Sequence, residues 1–93
     1  MNNVKIIYFN TDTINNHDIE IILKNNENCR SYIKIKPGLF LVNFQGTAKD
    51  LFDSLGAIVQ DQNIFIHDLN DGNDAYWGYM NKNVWDWVKA NRS

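Results

Sequence analysis

The residues best suited to chemistry lie in one alternating run, Arg30-x-Tyr32-x-Lys34-x-Lys36. If that run is a strand, its period of two sends the cations and the phenol ring to one side, at steps of roughly 6.5–7 Å. The step resembles the phosphate repeat of an extended nucleic-acid strand, and a tyrosine offers a flat surface on which a base can stack. Such contacts are salt-sensitive and largely blind to sequence. The same pattern also describes a solvated edge strand whose lysines discourage unwanted pairing. Nine Lys and Arg against eleven Asp and Glu give a net charge of −2, and that acidic balance favours the plainer reading.

The densest aromatic stretch is Tyr76, Trp77, Tyr79, Trp85 and Trp87. Trp and Tyr seal core edges and also anchor interfaces. Trp87 falls on a Val84–Val88 stripe and is expected inside. Trp77, Tyr79 and Trp85 are the candidate partner-binding residues, with core or dimer packing favoured over a foreign partner. The run from Asp68 to Asp74 looks like a calcium loop but fails the EF-hand spacing. Gly72 arrives one position early, and Tyr79 stands where the bidentate glutamate belongs. A polar turn is the default there. His67 lies beside Asp68 on an expected strand, and pairing with the first strand would bring Asp12 near it, an arrangement suited to acid–base work. A histidine that only satisfies a hydrogen bond is the commoner case. Cys29 is the lone cysteine and has no disulfide or thiolate–metal partner, which fits a reducing cytoplasm. Arg30 beside it would lower a thiol pKa, but Cys29 reads as a small apolar residue opening a strand. No Ser-His-Asp spacing, glycine-rich phosphate loop or zinc cluster is present. Catalytic residues stay unassigned, and no metal or cofactor is expected.

These residues need a scaffold. Val4 to Phe9 is a β-branched and aromatic run, expected as a strand buried on both faces. Ile19, Ile22 and Leu23 recur at helical spacing over 16–24, capped by Asn15 or Asn16. Arg30 to Lys36 alternates, Pro37-Gly38 suits a type II turn, and Leu39 to Phe44 returns as the second arm of a hairpin. Thr47 and Asp50 form a capping pair ahead of Ala48, Leu51, Phe52 and Leu55, a buried helical stripe stopped by Gly56. Ile64 to Leu69 is a fourth strand, and Val84, Trp87 and Val88 mark a last helix over about 81–90.

At 93 residues, 44% hydrophobic and 22% charged, the chain has the size and composition of one globular domain rather than a disordered or coiled-coil segment. Its apolar stretches fall far short of the roughly 20 residues that cross a bilayer, and no export signal is read ahead of Val4. The element order predicts an α+β fold. It is a ferredoxin-like βαββαβ sandwich with antiparallel sheet order 4-1-3-2, plus a C-terminal helix. That order puts the most apolar strands in the centre and the lysine-rich strand at an edge. With the two intervening helices on one face, the other would expose Tyr8, Phe40, Val42 or their neighbours. A second copy of the chain or the terminal helix would cover it.

Several short runs carry a family resemblance. They are Phe40-Leu41-Val42, Thr47-Ala48, Leu51 with Leu55, Asp61-Gln62-Asn63, and Trp77-Gly78 leading to Asp86-Trp87-Val88. They resemble the small "SinR family" proteins of bacteria and mobile elements. Those are similar in fold to the small ferredoxin-like subunit of the CRISPR spacer-integration complex and to its toxin relatives, which are homodimers. The resemblance implies a cytoplasmic homodimer of a defence or mobile-element system. It would act as a binding module for nucleic acid or a nucleic-acid-handling protein through Arg30, Tyr32, Lys34 and Lys36. One alternative is a divalent-metal endonuclease, whose members carry an aspartate at the end of the first strand. Asn10 stands there instead, a neutral amide that holds hard cations weakly, so Asp12 would have to substitute. Another is a protein-binding inhibitor or antitoxin-like partner, which suits a small acidic domain with exposed aromatics.

Overall fold

The computed structural model describes residues 3–60, 62–69 and 82–92. The β-branched N-terminal run forms β1 (Val4–Phe9). The amphipathic stretch after it forms α1 (Asn16–Asn25), whose Asn15 side chain accepts from the His17 N–H as the N-cap. The alternating run forms β2 (Cys29–Lys36), and β3 (Leu39–Phe44) returns from the Pro37-Gly38 turn. Helix α2 (Ala48–Leu55) starts on a complete capping box between Thr47 and Asp50. A short 3₁₀ turn (Gly56–Val59), β4 (Ile64–Asp68) and α3 (Lys82–Arg92) follow.

The four strands form one antiparallel sheet in the order β2-β3-β1-β4. As expected, β1 and β3 are central and the lysine-rich β2 is at an edge. Direct cross-strand partners share a face, so the register sorts every side chain. Ile7, Phe9, Phe40, Val42 and Phe44 point towards α1 and α2. There they pack with Ile19, Leu23, Leu51 and Leu55 into the main core. Gly38 holds the hairpin turn with φ +84°, the positive value that the turn chemistry requires. Its carbonyl accepts from the Phe9 N–H at 2.9 Å, and its N–H donates to Asn16 Oδ1 at 2.8 Å. The turn is thereby tied to β1 and α1.

Lys5 shares the helical face with Ile7 and is buried. Its ammonium meets Asp68 Oδ1, from its direct partner on β4, at 2.9 Å. Asp68 Oδ2 in turn accepts from the Ala48 N–H at 3.3 Å, where the dipole of α2 favours a carboxylate.

On the opposite face, α3 is the covering element among the described residues, and it reaches over part of the sheet. Val84, Val88 and Trp87 of α3 pack on Leu41, Ile6, Ile33 and Ile35. Asn91 Oδ1 accepts from Ser31 Oγ at 2.8 Å and from Asn43 Nδ2 at 2.9 Å, pinning the helix to β2 and β3. The terminal helix, not a second copy, therefore caps this part of the sheet. Two expectations are corrected. Phe40 and Val42 are buried under α1 and α2, because they pair directly with Ile7 and Lys5 on the helical face; of the three residues expected on the bare face only Tyr8 is exposed there, with Phe65 beside it. Phe52 is 42% exposed, since Leu51, Leu55 and then Val59 fill the site beneath α2.

Candidate functional site

The cationic run lies on the free edge of the sheet, but not as one row. Cys29, Tyr32 and Lys34 pair with Phe44, Val42 and Phe40, so they belong to the helical face. Register shifts fall between Cys29 and Ser31 and between Lys34 and Lys36. The first leaves Arg30 as the extra residue of the strand, and the second transfers Lys36 to the other face, opposite Leu39. The expected alignment of Arg30, Tyr32, Lys34 and Lys36 on one side is corrected accordingly.

Tyr32 is also not an open stacking surface. It is half-buried against the main core, its ring 6.0 Å from that of Phe40, and its hydroxyl donates to Glu20 Oε1 at 3.3 Å. Burial, and then the Glu20 carboxylate, hold its phenol above the ordinary pKa. The flanking cations are different. Arg30, Lys34 and Lys36 are exposed, and none forms an ion pair among the described residues. Arg30 donates to Gln45 Oε1 at 2.8 Å. The neighbouring thiol of Cys29 is half-buried against the core, and desolvation pushes its pKa up, so Arg30 does not activate it.

The turn after β1 is closed by Asn10. Its Oδ1 accepts from the Asp12 N–H at 2.9 Å and its carbonyl from the Ile14 N–H at 3.0 Å, an asparagine turn of ordinary kind. A divalent cation does not fit this donor set: the Asn10 amide oxygen is engaged, and no group of three His, Cys, Asp or Glu is placed to hold a metal among the described residues. His67 faces Ile6, at the opposite end of the β1–β4 pair from this turn, since Phe9 faces Ile64. The acid–base pairing of His67 with Asp12 is therefore not formed. Asp68 serves Lys5 and Ala48, and Leu69 is buried with its N–H donating to the Val4 carbonyl at 3.0 Å; positions 70–74 of the calcium-like run lie outside the described residues, as do Trp77 and Tyr79. Trp85 is half-buried on α3.

Comparison of the chain with protein-family models, curated proteins and solved structures gives no match.

One surface was anticipated only at Tyr8; its partners Phe65 and His67 were not. Tyr8 (53% exposed) and Phe65 (60% exposed) are direct cross-strand partners on the face that α3 leaves open. His67 lies beyond Phe65 on the same strand, its ring stacked on Phe65 at 6.2 Å and 14°. The sequence signal was the alternation of β4, in which Ile64 and Ile66 point to the core and Phe65 and His67 away from it. A groove of about 600 Å³ opens beside these rings, lined by Tyr8, Phe65, Lys36, Asn10 and Asn63 among others. No helix among the described residues is long and apolar enough to cross a membrane.

Proposed function

We propose that this chain is a nucleic-acid-binding module that contacts phosphates along the free edge of β2. The observation that carries the reading is the exposure of Lys34 and Lys36 on that edge with no carboxylate bound to either among the described residues. An edge lysine whose only task is to prevent pairing needs no companions; Lys34, Lys36 and Arg30 along one rim supply the positive strip that a polyanion recognises in an otherwise acidic protein. Phosphate contacts are made by charge and reach, so they do not require one strict row. The ferredoxin-like assignment, the homodimer and the defence or mobile-element setting belong to the same proposal and are supported by the SinR-family resemblance. The nuclease alternative has weaker support, because Asn10 closes a turn and Asp12 has no companion ligands among the described residues.

The test is fluorescence anisotropy with a labelled oligothymidylate at about 50 mM salt, with salt varied upwards from there. Lys34→Glu with Lys36→Glu is predicted to abolish binding. The milder pair Lys34→Gln and Lys36→Gln should flatten the slope of log affinity against log salt by about 1.4, at roughly 0.7 per lost phosphate contact on a single strand. Unchanged affinity in the Glu variant removes the reading.

A further inference from the structure

Resting on the nucleic-acid reading, we propose that the part of the second sheet face beyond α3 receives an unpaired polynucleotide strand, with bases stacked on Tyr8 and on the Phe65–His67 pair and a phosphate at Lys36. The register is the foundation. Lys36 faces Leu39, Leu39 faces Tyr8 and Tyr8 faces Phe65, one cross-strand row reaching over all four strands. At the usual strand spacing the row is about 14 Å long. It has at one end a cation with no ion-pair partner among the described residues and exposed rings at the other. The shift between Lys34 and Lys36, which breaks the expected cationic row, is what carries Lys36 onto the ring face. It thereby joins the charged rim to an aromatic surface.

The chemistry selects the occupant. Rings on adjacent strands of an open four-stranded sheet present flat π-surfaces of the kind on which unpaired bases stack. In a duplex those base faces are already stacked on one another, so a double strand can use only the lysines. The groove at the end of the row has the volume of a nucleotide-sized site, and the exposed Asn63 amide beside it is suited to a base edge. A second copy of the chain fits less well. Three half-exposed rings offer at most about 350 Å², well under the roughly 800 Å² per partner of a stable interface.

Phe65 and Tyr8 sit at exposed positions, so their replacement spares the core. Phe65→Ala and Tyr8→Ala are each expected to weaken oligothymidylate binding about tenfold or more. Binding of the same strand annealed to oligoadenylate should be unchanged. Phe65→Leu, which keeps apolar surface and loses the ring, should behave as the alanine variant, and Phe65→Tyr as the wild type. Variants are compared only with wild-type circular dichroism and melting. If Lys34→Glu with Lys36→Glu abolishes binding while both alanine variants bind normally, the ring face is not the ligand surface and the edge reading survives. If the unaltered chain binds neither form of the probe, both readings fall. If light scattering shows Phe65→Ala converting a dimer to a monomer, the face is a self-interface and the stacking proposal is overturned.

Discussion

Replacing Asp68 by alanine removes the carboxylate bonded to a lysine that is almost wholly inside the protein. The Lys5 side chain is 3% exposed and that of Asp68 47%, with the charged atoms 2.9 Å apart. At the effective dielectric of such sites, two charges about 4 Å apart attract by about 4 kcal/mol. Asp68 is half in water, which weakens that attraction. Without it the ammonium keeps, among the described residues, the Asn3 carbonyl at 3.4 Å and the more distant charge of Asp50. Loss of the partner of a fully buried charge costs about 3–5 kcal/mol; the half-exposed carboxylate lowers the expected loss here to about 2–3 kcal/mol. The loss of the bond from Ala48 N–H to Asp68 is included in that range.

Lys5→Met breaks the same ion pair from the other side, with a different outcome. The methionine retains most of the apolar stem, takes a costly charge out of the core, and leaves Asp68 hydrated and still bonded to α2. Its predicted cost is within about 1 kcal/mol. Urea denaturation followed by circular dichroism reads the difference. With a slope of about 1 kcal/mol/M for a small domain, Asp68→Ala should lower the midpoint by about 2–3 M and Lys5→Met by less than about 1 M. The double variant should recover most of the loss relative to Asp68→Ala alone. Equal losses in the two single variants, or a larger loss in Lys5→Met, would show that the pair is worth its Coulomb attraction and that burial of Lys5 carries no penalty.

Two further perturbations test the scaffold. Gly38→Ala places a Cβ 2.6 Å from the Phe9 carbonyl oxygen at φ +84°, whereas Gly56→Ala, at φ +67°, meets nothing within 4 Å. The first should cost about 2 kcal/mol or more and the second about 1 kcal/mol, read as midpoint shifts in the same assay; equal shifts would refute the close approach of the turn to β1. Asp50 is held below its ordinary pKa by the Thr47 backbone N–H of the capping box, and then by the Thr47 side chain. On acidification the unfolded chain takes up that proton first, so the stabilisation is complete above the ordinary carboxylate range and fades as pH falls through the folded value. The stability gap between the wild type and Asp50→Ala should therefore narrow below about pH 4; a gap independent of pH would refute the assignment.

The topology was legible because each local pattern pointed to a single answer. Strict alternation in β2, the Pro37-Gly38 turn and the Thr47–Asp50 cap fixed the hairpin and α2, and the strand order followed from element order. The faces were less legible. Val4 to Phe9 is apolar apart from Lys5 and reads as a strand buried on both faces, and nothing in the run shows that the lysine would be buried on the same face as Ile7. That fate depends on Asp68 facing Lys5, and the exposure of Tyr8 on how far α3 reaches across the sheet. Both are settled by residues some sixty or more positions away in the chain. The cationic row failed for a related reason. Period two predicts a shared face only while the register runs unbroken, and β2 shifts twice within its eight residues. A one-residue shift moves a side chain to the opposite face, which is why Lys34 and Lys36 part company.

That separation changes what the edge can do. Had all the cations shared the helical face, they would have lain beside α1 and Glu20, with Tyr32 withdrawn into the core and no ring at hand. With Lys36 on the far face, the rim carries charge towards both surfaces, and the position of Lys36 is fixed by a turn that hydrogen bonds to both β1 and α1. β1 also carries Tyr8. The turn that follows Lys36 is thus hydrogen-bonded to Phe9, the neighbour of Tyr8, so the spacing of lysine and ring is set by the sheet and not by side-chain flexibility alone. A preorganised charge next to a preorganised stacking surface loses less entropy on binding than two mobile groups would. The same coupling makes Gly38 relevant to binding as well as to stability: a Gly38→Ala chain that still folds should bind a single strand more weakly even though every lysine and ring is retained.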